Sequence, residues 1–199
     1  MAATSAPYGL RPVQMLGGRP MSHGIREVRM TANTTAGIYT GDLVGFGSGS
    51  AASATATPTT TVGANSPIGI CVGVRYTDPV MKQEQHSQFL PPNAITNGYT
   101  NVWIKVVDDP QTLFQVQASG PVTAADIGKN APLGTFGGST VTGNSSITLT
   151  HGSIAVTATL AVRIVDLVDS GQSKPGDAFT DCIVMLNPGV HLLTQSTGR

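Results

Sequence analysis

Several groups in this sequence are of types that do chemistry, and their spacing decides whether they can act together. The run GFGSGS, residues 45–50, has the glycine content of a phosphate-binding loop but not the GxxxxGK[ST] order, and no helix pattern follows it. Nor does it show the GxSxG order of a nucleophile elbow. Asp108 and Asp109 are of the residue type used as general acid and base. Adjacent side chains on an extended chain diverge, however, so with Pro110 behind them they read as turn-capping groups. Asp166, Asp169, Asp177 and Asp181 could gather around calcium, but their spacing fits no EF-hand or RTX loop. Cys71 and Cys182 each stand in an apolar, strand-like run, which suits buried free thiols and not a disulfide framework or a nucleophile. His23, His86, His151 and His191 are scattered without metal-ligand spacing. No catalytic, cofactor-binding or metal-binding residues are assigned, no cofactor is expected, and the chain is not expected to be an enzyme.

The elements that would position any site are short strands. The stretch Asn101–Ala118, NVWIKVVDDPQTLFQVQA, is the organising piece. Val102, Ile104 and Val106 alternate with Trp103, Lys105 and Val107, and Thr112, Phe114, Val116 and Ala118 alternate with Leu113, Gln115 and Gln117. Period-two alternation marks strands with one buried face. Asp108-Asp109-Pro110 ends the first strand, and the two are expected to form a hairpin. If Val102, Ile104 and Val106 face the core, Trp103 and Leu113 share the outward face, where an aromatic and a leucine would serve self-association.

Pro67–Thr77 is apolar on both sides and predicts a central strand, with Gly69 and Gly73 allowing close approach or a bulge. Ile25–Thr31 alternates as an edge strand, Thr40–Val44 is a turn entering a strand, and residues 159–169 and 182–186 supply two more strands. Residues 47–65 are small and polar and read as a surface loop, residues 78–100 as a long crossing loop, and residues 133–149 as a loose meander. Thr123–Lys129 is the one short helix expected, with Thr123 and Gly128 as its caps. Residues 1–24 hold so many prolines and glycines that no helix or long strand is expected there. They nonetheless carry Tyr8, Leu10, Val13, Met15 and Leu16 among Arg11 and Arg19, the make-up of an arm lying on another protein. The fold class expected is all-β, an antiparallel barrel or sandwich over residues 25–199, with an extended irregular N-terminal arm over residues 1–24.

Composition narrows the functions. Charged residues are only 11% of the 199, against about 25% in typical globular domains, so much of the surface is expected to be covered by partners. Net charge is zero with no basic cluster, which argues against nucleic-acid binding. No apolar run approaches the roughly 18 residues of a membrane span, and the first residues lack the pattern of a signal peptide. Within residues 1–41 four arginines face one glutamate, so this part carries a net +3.

The pieces APYGLRPVQMLGG (residues 6–18), GDLV (41–44), IGICVGVRYTDP (68–79), VVDDPQTLFQVQA (106–118), DIGKNAPL (126–133) and the closing NPGVHLL…TGR together resemble small virion proteins of tailed bacteriophages, the capsid cement or decoration proteins, particularly those of aquatic phages. The resemblance spans most of the chain and fades in residues 47–65 and 136–158. It implies synthesis in the host cytoplasm and a place on the outer capsid surface of the virion, as a homotrimer that staples neighbouring major capsid subunits of the expanded head. The capsid-contact residues would then be Tyr8, Leu10, Arg11, Val13, Met15, Leu16 and Arg19, with Trp103 and Leu113 for self-association. Two other readings stay open: another virion role such as a tail or head-fibre base, and a carbohydrate-binding β-sandwich, which would show several aromatics in a cleft.

Overall fold

The computed structural model describes residues 4–20, 24–31, 33–46, 54–56 and 67–196. The loop expected over residues 47–65 lies outside them except for 54–56. The chain is all-β, in short antiparallel strands: β1 (Arg11–Met15), β2 (Ile25–Arg29), β3 (Ile38–Tyr39), β4 (Leu43–Phe46), β5 (Ala54–Ala56), β6 (Pro67–Thr77), β7 (Glu84–Ser87), β8 (Phe89–Leu90), β9 (Thr100–Val107), β10 (Thr112–Gln117), β11 (Asn130–Ala131), β12 (Leu133–Gly134), β13 (Thr148–Leu149), β14 (Val162–Leu167) and β15 (Asp181–Leu186). Two sheets dominate. One is five-stranded in the order β1-β10-β15-β14-β11. The other runs β2-β9-β6-β4-β5, with β7 also paired to β6. Among the described residues no helix is long and apolar enough to cross a membrane.

The apolar side chains fall into two cores, and β6 and β9 belong to both. Phe114, Val116, Val162, Ile164, Cys182 and Val184 pack against Leu43, Ile70 and Val107, which joins the five-stranded sheet to one face of the six-stranded one. Cys71, Val74, Val102, Ile104 and Val106 pack the opposite face against Ile38 and Leu90 of the small β3-β8 ladder. Burial on both faces is why residues 67–77 read as apolar on both sides. Gly69 is required where the layers meet, because a Cβ there would lie 2.1 Å from the Val107 carbonyl oxygen. The register between β6 and β9 shifts between Cys71 and Gly73, the bulge that Gly73 permits.

Three expectations are corrected. Strands β9 and β10 do not form a hairpin: β9 pairs with β2 and β6, whereas β10 pairs with β1 and β15. The Asp108–Gln111 turn instead carries the chain from one sheet to the other. Asp109 caps it as expected, its Oδ1 accepting from the Gln111 amide at 2.8 Å and its carbonyl from the Thr112 amide at 3.1 Å. The expected helix at 123–129 is one 3-10 turn, Ala124–Asp126, in which Asp126 Oδ2 accepts from both the amide and the hydroxyl of Thr123 at 3.1 Å. The cap is present, but no residue of the turn is buried, so nothing packs a longer helix in place. Residues 78–100, expected as a loop, include β7 and β8.

The largest correction concerns the opening segment. Residues 4–16 belong to the β-domain and are not a free arm. β1 pairs antiparallel with β10 from Arg11↔Gln115 to Met15↔Thr112. Pro12 is tolerated because β1 is an outermost strand and its register shifts between Pro12 and Gln14. Leu10, 1% exposed, enters the core, and its amide donates to the Gly41 carbonyl at 3.0 Å. Gly9 and Gly41, with φ of +74° and +95°, allow the two backbones to come this close.

Candidate binding cleft and contact surface

The residues singled out in the sequence separate into three places. Tyr8 and Leu10 are half-buried and buried within their own domain. Val13, Leu16 and Ile25 stay open, at 41, 42 and 48% exposure. The Leu16 amide donates to the Gln111 carbonyl at 2.7 Å, and Ile25 lies opposite Val107 in register. Both residues therefore flank the 108–111 turn, where the outermost strands β1 and β2 of the two sheets meet. Two arginines hold this edge: Arg26 pairs with Asp108 at 2.8 Å and Arg19 bonds the Gln111 side chain, while Arg29 is exposed further along β2, opposite Trp103. Met15 is half-buried.

Trp103 and Leu113 are not brought together. Leu113 is 3% exposed and lies between Gln14 and Met185 in the five-stranded sheet. Trp103 stands on the face of the six-stranded sheet opposite to Val102, Ile104 and Val106 as expected, the face whose far end carries Val107 into the core shared with the five-stranded sheet, and it is half-buried beneath Arg75. The Arg75 guanidinium sits 5.3 Å from the Trp103 ring and reaches Glu27 at 2.7 Å and Glu84 at 3.1 Å. The Arg75 hydrogen bond holds the Glu27 carboxyl below its usual range. Lys105 and His86 approach at 3.4 Å on the same face.

The opening segment builds a third feature that the sequence did not suggest. It crosses the outer face of the five-stranded sheet and, with the 171–179 loop, walls a cleft of about 500 Å³. The floor comes from the outward-alternating residues of β10 and the first residue of β15: Gln115, Gln117 and Asp181. Gln117 is nearly buried because its amide is capped by backbone. Its Oε1 accepts from the Ala6 amide at 2.8 Å, and its Nε2 donates to the Thr4 carbonyl at 3.1 Å. Asp181 Oδ1 accepts from the Tyr8 hydroxyl at 3.0 Å, and Oδ2 from Gln115 Nε2 at 3.3 Å. Burial, and then the adjacent Asp181 charge, push the Tyr8 hydroxyl pKa up, so Tyr8 holds its proton as a donor. Arg11 stacks its guanidinium 4.7 Å from the Tyr8 ring, and Phe179 lines the far wall.

Of the other chemical candidates, two aspartates bond nearby backbone and His23 lies outside the described residues. Asp166 accepts from the Leu167 amide, and Asp177 from the Lys174 amide. Among the described residues no group of three His, Cys, Asp or Glu is placed to hold a metal. Cys71 and Cys182 are buried free thiols as expected, and burial pushes each up to about 12, far from the reactive thiolate form. One buried acid had not stood out. Asp42 lies in the Tyr39–Asp42 turn that receives Leu10, its Oδ2 accepting from the Tyr39 amide at 2.8 Å while Oδ1 has no partner. Burial pushes its carboxyl up to about 6, against smaller opposing effects of the nearby Ser145 side chain and the Tyr39 amide bond. No protein-family model matches the chain, and no curated protein or solved structure matches it.

Proposed function

We propose that this chain is a capsid cement protein, which binds the outer surface of an expanded phage head and staples neighbouring major capsid subunits. The resemblance noted in the sequence motivates the reading. The structural observation that supports it best is the edge around the 108–111 turn. There Leu16 and Ile25 are exposed on either side of the turn and Arg19 and Arg26 bond its Gln111 and Asp108, with Val13 exposed earlier on β1. Apolar residues with a rim of arginine have the composition of a protein–protein contact, and the positive balance of residues 1–41 favours an acidic partner surface. In this reading the protein acts as a rigid block and not as a strap. Tyr8 and Leu10 hold the block together, while Val13, Leu16 and Arg19 meet the capsid. Many copies, each making a modest contact, would add up through high effective concentration on the lattice. Self-association into a trimer would rest on the Trp103 face alone, since Leu113 is buried.

The test is co-sedimentation of the purified protein with expanded, undecorated capsids and with unexpanded shells. Saturable binding to the expanded form only is expected, and Leu16→Asp, a change at an exposed site, abolishes it while leaving the unfolding curve unchanged. No binding to expanded capsids would overturn the function. Wild-type binding by the Leu16 variant would overturn the assigned surface.

A further inference from the structure

We infer that the cleft on the outer face of the five-stranded sheet is a binding site for a neutral saccharide. This stands on the cleft alone and does not depend on the cement reading. The volume, about 500 Å³, lies in the range of small-molecule sites, roughly 300–1,000 Å³. The lining is rich in planar groups that can both give and accept hydrogen bonds. A carboxylate offers about four lone-pair directions; Asp181 uses two, on the Tyr8 hydroxyl and the Gln115 amide, and keeps two for incoming hydroxyl protons. Gln115 retains its carbonyl oxygen as an acceptor, and Gln172 presents an exposed amide from the loop above. Arg11 adds N–H donors at the lip. Among the described residues no carboxylate lies within ion-pair distance of it.

Adjacent hydroxyls on a pyranose ring are donors and acceptors at neighbouring atoms, which is what this mixture of groups can satisfy. Tyr8 and Phe179 add aromatic surface for the C–H faces of the ring. Charge selects against other ligands. A carboxylate-bearing ligand would meet Asp181, and a cationic side chain would meet Arg11, whereas the pair leaves the cleft neutral overall. The Tyr8–Asp181 and Ala6–Gln117 bonds fix the wall in place without a ligand, so little ordering is left to oppose binding.

The experiment uses the full-length ¹⁵N-labelled protein, titrated separately with maltotriose, cellotriose and triacetylchitotriose, and with glucuronate and free arginine as charged probes. At least one neutral trisaccharide is expected to give saturable shifts centred on the amides of residues 115–117 and 171–181, while the charged probes bind more weakly. Asp181→Asn, which removes charge-assisted bonds to hydroxyls, should weaken that binding roughly tenfold or more. Gln172→Ala, on an exposed loop where folding is not at stake, should weaken it by a few-fold. The inference is overturned by the absence of saturable shifts from every neutral probe, by shifts centred elsewhere, or by tighter binding of glucuronate or arginine. Unchanged affinity in the Gln172 variant together with a folded Asp181 variant would also overturn it.

Discussion

The outer face of the five-stranded sheet and the Trp103 face of the six-stranded sheet have opposite treatments. On the five-stranded sheet the outward residue Gln117 is covered by the opening segment and is only 6% exposed, while Gln115 beside it floors the cleft. On the six-stranded sheet the Trp103 face, beyond the part covered through Val107, carries Glu27, Arg75, Glu84, Trp103 and Lys105, which reach the surface and answer one another's charge. The difference follows from solvation. An amide has one donor and one acceptor side, so an irregular stretch of backbone can cap it completely and bury it at small cost. Burying Arg75 with Glu27 and Glu84 would cost several kcal/mol per ion before any attraction was recovered. The amide Gln117 thus lies beneath the opening segment, the single carboxylate of that face, Asp181, is held by Tyr8 and Gln115, and the Arg75 cluster lies on the face left open.

Changes that attack the covered face have the largest expected effects. Removing residues 1–16 deletes β1 and Leu10 together and should abolish cooperative unfolding at moderate temperature. Leu10→Ala alone should cost about 2–5 kcal/mol in urea unfolding. A truncated protein as stable as the full chain would mean that the segment is a separable arm.

The next largest effect concerns the turn that receives Leu10. The Asp42 carboxyl is raised by burial from 3.8 to about 6. Its neutral form is thus the one the fold prefers, so its contribution is fully favourable below pH 3.8, is lost as pH rises toward about 6, and stays lost above. Relative to wild type, Asp42→Asn should gain stability across that window and end roughly 3 kcal/mol ahead at neutral pH. A pH-independent difference between the two proteins would contradict the burial argument.

Smaller again is Gln117→Ala. It removes the bonds to Ala6 and Thr4 and should cost about 1 kcal/mol, with faster hydrogen exchange of the Ala6 amide while β15 stays protected. On the open face Arg75→Ala should change stability least, and the small difference should vanish in high salt, because the groups it pairs with remain hydrated. A large, salt-independent loss there would erase the contrast between the faces. If the Trp103 face mediates self-association, Trp103→Ala should shift the sedimentation coefficient toward the monomer without altering the unfolding midpoint by a comparable amount.

Much of this architecture was legible in the sequence, and particular residues show where legibility ends. Alternation placed Phe114 and Val116 inward and Gln115 and Gln117 outward, and it set β6 at the centre of a sheet. It could not say which strand lies alongside, because a period of two fixes a face and not a neighbour. The consecutive buried pair Val106-Val107 was the available signal: one packs into each core, at the point where the chain leaves one sheet for the other. Proline and glycine counting failed for residues 1–24 because an outermost strand can hold Pro12 at a bulge. The cleft was less legible still. Spacing offers Asp181 only as a calcium ligand, and Phe179 lies far from Tyr8 in sequence. They meet through long-range contacts that no local pattern encodes.

The most direct test of the account is imaging of expanded capsids mixed with the purified protein at a resolution that traces the chain. The account predicts bound copies in which residues 4–16 pack on their own domain, with Arg11–Met15 as its outermost strand, and the edge bearing Leu16 and Ile25 rests on the shell. Undecorated shells, or bound copies whose opening residues reach across to a neighbouring subunit, would contradict it.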